Sequence, residues 1–356
     1  MPTPITTVDI DCPLCGAREY RAVATAVDHT YDVPGQYSIV RCKACSHLYL
    51  NPRPADDCLL ACYPDDYAPY VESNFEVAPA SVDSKMRDKA SFDDPAEKTP
   101  QQALAKGAQS NAAKRRSGVR AGLGRFLRWL WDEHAIVIPA PPLAGQSQML
   151  EIGCAHGGFL AAAQEQGWSV EGVEPSSVAA KAAREKGLPV THGFLDDYAG
   201  EPESLDWVAL WMVLEHVPNP NELTMQIAGL LKPGGVVTLS IPNAATWERF
   251  LFRGNWLGYD APRHLQDFTP DTIRHLLESH GFRNVQIRHQ SNTRYWFGSL
   301  ACWGRTRFPK ARWPEKWMDY FRNEPPRSWS WLLLIPGKVN ALLELSGRIT
   351  VTATKR

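Results

Sequence analysis

The chain lacks any apolar run long enough to cross a bilayer. Charged residues, proline or glycine break each one before about 18 residues, including the richest, near Trp329 to Leu345. No membrane-spanning helix is therefore expected. The start, Met1-Pro2-Thr3-Pro4, lacks the basic segment and apolar core of a secretory signal, so the expected location is the cytoplasm. An excess of positive charge is also missing. With 38 basic against 39 acidic residues the net charge is −1, whereas a protein that grips a phosphate backbone usually carries surplus cations. Nucleic acid is not an expected partner.

Cysteine is sparse and patterned. Of eight, four form two tight pairs, Cys12-Pro-Leu-Cys15 and Cys42-Lys-Ala-Cys45, separated by 26 residues. In each pair the turn aims two thiolates at one point, and four soft ligands are the number a tetrahedral zinc prefers. The alternation of Tyr37 to Val40 leads a short strand into the second pair, as in a zinc ribbon. The site is expected to be structural and closed. Cys58 and Cys62 read as small buried hydrophobes, and His29 and His47 rank below the cysteines as ligands.

Three regions follow from composition: a zinc-ribbon module over 1–62, a linker and helical segment over 63–140, and an α/β catalytic domain over 141–356. Large apolar residues are scarce between about Val71 and Ser117. Beyond them, Lys114, Arg115, Arg116, Arg120, Arg125 and Arg128 interleave with Leu123, Phe126, Trp129 and Trp131. That is a basic amphipathic helix, suited to docking on the catalytic domain or to a membrane surface.

From Gln148 onward strands and helices alternate. Strands are expected at Gln148–Gly153, Ser169–Glu174, Pro189–His192, Asp206–Trp211, Val236–Ile241, Phe282–His289 and Ile349–Lys355. Helices are expected at Leu160–Gln166, Ser176–Lys186, Asn221–Leu231 and Thr269–His280. The economical architecture is a doubly wound, mostly parallel seven-stranded sheet covered on both faces. The turn after the first strand reads G-x-x-x-G-G from Gly153 to Gly158, not the G-x-G-x-x-G that seats a pyrophosphate. Glu174 ends the second strand, where an acid accepts hydrogen bonds from both ribose hydroxyls.

Leu150-Glu-Ile-Gly-Cys-Ala-His-Gly-Gly-Phe159, Gly172-Val-Glu-Pro-Ser176, Val213-Leu-Glu-His-Val-Pro-Asn219, Leu231-Lys-Pro-Gly-Gly235 and Pro262-Arg-His-Leu265 together resemble a class I S-adenosylmethionine-dependent methyltransferase with an N-terminal zinc-binding segment. The likeness covers roughly residues 148 to 290, and Asn51-Pro-Arg-Pro54 extends it. It implies that Glu151, Gly153, Ala155 and Gly157 wall the methionine part of the cofactor, that Glu174 holds the ribose, and that Asp196 or Asp197 reaches the adenine amino group. Ala155 replaces a common glycine, a departure its small size makes cheap.

Relatives of this type act on sugars, glycans or other small metabolites, so a small-molecule, sugar or glycan acceptor is expected, lipid-linked forms included. O-methylation is the leading reaction. His216, just beyond the fourth strand, is the candidate general base and His264 the second catalytic candidate. Arg263 is read as an anion binder for the acceptor, with Trp256 and Tyr259 as stacking faces. The alternatives are an RNA-modifying methyltransferase using the zinc ribbon, C-methylation of a nucleotide sugar, and a non-catalytic cofactor-binding protein.

About 59 residues, Gln290 to Arg348, separate the last two strands, rich in Trp296, Trp303, Trp313, Trp317, Trp329 and Trp331 among cations. They read as a helical hairpin packed on the domain, or as a lid meeting lipid at the inner face of a membrane.

Overall fold

The computed structural model describes residues 5–63, 67, 138–291, 293–322 and 327–356. The basic segment from Lys114 to Trp131 lies outside them. The chain opens with β1 (Thr7–Val8), β2 (Tyr20–Ala26), β3 (Tyr37–Cys42), β4 (Leu48–Leu50) and β5 (Arg53–Pro54). β2, β3 and β4 form an antiparallel meander, and β1 pairs with β5. The two cysteine pairs turn alike. Gly16 and Ser46, each just after a second cysteine, take left-handed backbone (φ 71° and 64°), and their amides bond back to the Cys12 and Cys42 carbonyls at 2.8 and 3.2 Å.

The second sheet is built from β6 (Gln148–Ile152), β7 (Ser169–Glu174), β8 (Val190–His192), β9 (Leu205–Trp211) and β10 (Leu231–Pro242). A short β11 (Gln266–Asp267) precedes its last two strands, β12 (Phe282–His289) and β13 (Arg348–Lys355). Its order is β8-β7-β6-β9-β10-β13-β12. β8 through β10 run parallel, and β13 is antiparallel to both its neighbours. The seven-stranded, mostly parallel sheet expected from the pattern is therefore present. Side chains alternate across it: Leu150, Ile152, Val208 and Leu210 enter one core, Met149, Trp207 and Ala209 the other.

The covering helices are α1 (Gly158–Glu165), α2 (Ser177–Glu185), α3 (Pro220–Leu230), α4 (Trp247–Phe252) and α5 (Pro270–Ser279). Ser176, Asn219 and Thr269 cap three of their N-termini, each side chain accepting an otherwise orphaned amide.

The first sheet does not end with the N-terminal residues. β11 adds to its edge, pairing Gln266 with Tyr49 and Asp267 with Leu48. The Leu50 amide bonds to the Leu265 carbonyl, and Leu265 in turn to Glu215. Cys12, Val40, Cys42 and Tyr49 share one core with Leu210, Leu214 and Ile273, so the cysteine segment and the large sheet form one packed body.

The long connection to β13 holds α6 (Arg294–Arg307), α7 (Trp313–Arg322) and α8 (Arg327–Leu342). Four of its tryptophans pack on other aromatic rings: Trp296 meets Phe252 edge-on, Trp317 stacks on Phe297 at 5.0 Å, and Trp303 lies against Trp313. Among the described residues, no helix is long and apolar enough to cross a membrane.

Candidate active site

Parallel strands deliver their ligands at the carboxyl edge, in the crevice where the strand order reverses. Here that crevice lies between β6 and β9. Beyond β6 the backbone is left-handed at every second residue: Gly153 (φ 72°), Ala155 (φ 44°) and Gly157 (φ 74°). Gly153 has a second constraint, because a Cβ there would sit 2.5 Å from Val213 beyond β9. Ala155 corrects an expectation. Size is not what the position taxes; an L-residue with left-handed backbone is strained by roughly 1 kcal/mol.

Glu174 clasps this turn. Buried at the tip of β7, its carboxylate accepts the Ala155 amide on one oxygen and the Ser176 amide on the other, both at 2.8 Å. Burial raises its pKa, and the two amides only partly offset that. Each oxygen keeps a further lone pair. Glu151 lies in the same place, buried, with Oε2 lacking a hydrogen-bond partner. Burial, with Glu174 beside it, pushes its pKa well up. Two adjacent acids with spare acceptor capacity suit a ligand carrying hydroxyls and positive charge.

Beyond β8 the chain makes a 3-10 turn, Leu195–Asp197. Asp197 caps it through the Phe194 amide at 2.9 Å, and Asp196 accepts from Gln226. Both acids are exposed. Between them and β8, Phe194 stands 58% exposed, an aromatic the motifs did not single out.

The other wall follows β9. Met212 is left-handed (φ 57°), and a 3-10 turn carries Leu214–His216. The His216 ring meets His264 edge to face, centroids 4.6 Å apart. His216 Nδ1 lies 3.1 Å from the Arg263 carbonyl and 2.9 Å from the Tyr63 hydroxyl. His264 Nδ1 donates to the Gly258 carbonyl at 2.8 Å. Burial, with His264 alongside, drives the His216 pKa down to about 3, and burial lowers that of His264, so both rings are neutral at pH 7. The sequence motifs place the two histidines separately. The fold brings them together, and Tyr63 joins from the N-terminal segment.

Three expectations are corrected here. Arg263 is not an anion binder for the acceptor: its side chain is fully buried between two acids, donating to Asp28 at 2.7 and 2.9 Å and to Asp260 at 2.6 and 2.9 Å. Desolvation opposes the Asp260 charge, yet Arg263 holds that pKa at about 2. Trp256 and Tyr259 do not offer stacking faces either. Each is 1% exposed and they pack edge to face on each other at 5.0 Å.

The cysteine cluster stands apart from this crevice in role. One Sγ of each of Cys12, Cys15, Cys42 and Cys45 lies within 4.8 Å of the others, with Cys12–Cys45 and Cys15–Cys42 both at 3.6 Å. Four sulfurs at about 2.3 Å from one zinc lie about 3.8 Å apart, whereas a disulfide needs about 2.05 Å. Burial opposes the Cys42 thiolate, but the Cys45 and Ala44 amides outweigh it and bring the pKa to about 7. His47 is not in the cluster; it bonds Gln266 of β11 at 2.9 Å. His29 bonds Asn255.

A family model described as a methyltransferase domain matches residues 114–287, the stretch that holds the glycine turn, Glu174 and His216. That stretch is a methyltransferase domain. Among curated proteins it is similar to the ubiquinone biosynthesis O-methyltransferase of Thiobacillus denitrificans, 39% identical over 124 residues, which make up 33% of this chain and 50% of that protein. The protein of the same name from Proteus mirabilis is 35% identical over 103 residues, 27% of this chain and 42% of its own length. Among solved structures, a SAM-dependent methyltransferase from Archaeoglobus fulgidus shares 21% identity at a TM-score of 0.40, over 67% of this chain and 94% of that one. The chain spans about half the length of the curated relatives it matches.

Proposed function

We propose that the protein transfers a methyl group from S-adenosylmethionine to an oxygen of a small-molecule acceptor. The observation that carries this is the carboxyl edge itself: a clasped glycine turn with spare acidic acceptors on one wall, and a neutral histidine pair on the facing wall. The O-methyltransferase name of the curated relatives supports oxygen as the target. In this reading Glu151, Gly153, Ala155 and Gly157 flank the methionine part of the cofactor, Glu174 accepts from the ribose, and Asp196 or Asp197 meets the adenine.

When bound, the cofactor supplies a methyl on a sulfonium, already an activated leaving group, so placement contributes most of what the protein adds. His216 accepts the acceptor's proton. With a pKa near 3 it is a weak base, so it acts late, once the attacking oxygen has turned strongly acidic by gaining the methyl. His264 packs against the ring and sets its tilt.

A sugar, a glycan or a lipid-linked form of either is the acceptor class we favour. α8 and the residues after it leave Ile335, Val339, Leu342 and Leu343 exposed, an apolar stripe suited to a membrane surface. Purified protein with methyl-labelled cofactor should label a hydroxyl in fractionated metabolites or glycans, with the new methyl located by mass spectrometry. Adding anionic vesicles to the assay should raise the yield only if the acceptor is lipid-borne. Label appearing solely on carbon or nitrogen would overturn the oxygen assignment.

We also assign a structural zinc to Cys12, Cys15, Cys42 and Cys45. Because β11 ties this segment to the loop bearing Glu215, a strong chelator should remove about one zinc per chain and lower the melting temperature of the whole body. An unchanged melt after complete removal would contradict the assignment.

A further inference from the structure

We propose that Glu215, His216 and His264 form a second metal site, binding a first-row divalent cation at the acceptor end of the crevice. One ligand atom of each residue lies within 4.8 Å of the others. Two ligands on one cation at about 2.1 Å from each are at most about 4.2 Å apart, so small side-chain rotations close the set. Two imidazoles and one carboxylate, with further positions open, are the facial arrangement that such cations accept.

Two independent observations point to a cation. First, Glu215 is 0% exposed, and neither carboxylate oxygen has a hydrogen-bond partner. Among the described residues it makes no ion pair, and the nearby Arg348 side chain donates to Ser240 Oγ instead. A buried, unpaired carboxylate is one of the most unfavourable groups a fold can hold, and a cation removes the deficit. Second, each histidine has its Nδ1 on a backbone carbonyl, Arg263 for His216 and Gly258 for His264. A carbonyl only accepts, so each Nδ1 must donate, which leaves the lone pair on Nε2. Anchoring one ring nitrogen on a carbonyl while the other carries the lone pair is how proteins fix metal-ligating histidines. The Tyr63 hydroxyl, 2.9 Å from His216 Nδ1, then accepts as a second partner.

His216 is the partly exposed member of the three, so the open coordination positions face the crevice. An acceptor oxygen bound there would lose its proton to solvent more readily, the Lewis-acid effect of a divalent cation. This rests on the oxygen-acceptor reading above and changes one part of it. Metal-free, His216 is a late proton acceptor; metal-bound, it is a ligand.

The test needs neither cofactor nor acceptor, so it fails separately from the methyltransferase reading. Full-length protein stripped by chelator is reloaded with Zn2+, Mn2+ or Co2+ in separate arms, and metal per chain is counted by mass spectrometry. The wild type should hold a second equivalent of at least one cation beyond the zinc at the four cysteines. Glu215→Gln should lose only that second equivalent and keep the cysteine zinc. Electron paramagnetic resonance should likewise show Mn2+ taken up by the wild type and left free with the variant, if Mn2+ is the cation bound. Should Glu215→Gln fail to fold, the wild-type count still decides. A single equivalent in all three arms, or a second one that survives Glu215→Gln, overturns the site.

Discussion

Arg263→Leu should lower stability by about 3–5 kcal/mol, because removing one partner leaves a buried charge uncompensated. Here two acids lose their counter-ion at once. The side chains of Arg263 and Asp28 are 0% exposed and that of Asp260 is 17%, so water cannot take over. At about 2–4 °C per kcal/mol for a body of this size, the melting temperature should fall by roughly 10 °C or more. The effect should be non-additive: Asp28→Leu on the Arg263→Leu background should recover part of the loss. Calorimetric melts of the single and double variants provide the check, and a change in Arg263→Leu of only a degree or two would show that the pair is solvated. The link joins the N-terminal segment to the loop carrying His264, so the cost falls on both.

His216→Ala should cut methyl transfer by about 100- to 10,000-fold, the usual range for a positioned proton-transfer group. Cofactor affinity should stay within a few-fold, because the glycine turn and Glu174 lie on the other wall. This split distinguishes a chemical role from a structural one. A variant that melts normally, binds cofactor normally and still turns over at the wild-type rate would remove His216 from the mechanism. His264→Ala should share the defect, since its ring meets His216 edge to face.

Local features of the chain were readable without coordinates. Short, nearly unbroken apolar runs at Met149 to Ile152 and Trp207 to Trp211 place those strands. Serine and threonine ahead of helical segments mark helix starts at Ser176 and Thr269, whereas the Asn219 cap lies two residues before the expected start at Asn221. The cysteine spacing anticipates the convergent sulfurs.

Contacts between distant residues were not readable, because no local signal encodes them. Arg263 looked like an anion binder from its neighbours in sequence, yet its partner Asp28 is 235 residues away. β11 is two residues long and has no periodicity to detect; it exists because β4 offers an open edge. Tyr63 carried no motif and reaches His216 only through the fold. At Ala155 the side chain suggested an easy replacement, while the strain lies in the backbone angle.

The central claim is that the turn after β6 and Glu174 at the end of β7 bind an adenosyl sulfonium. Isothermal titration of metal-loaded protein with S-adenosylmethionine and with S-adenosylhomocysteine tests it most directly. Saturable binding of both, weakened at least about tenfold, or about 1.4 kcal/mol, by Glu174→Ala in a variant that keeps its melt, is the predicted result. Absence of binding heat at several temperatures, or equal affinity in Glu174→Ala, would contradict it.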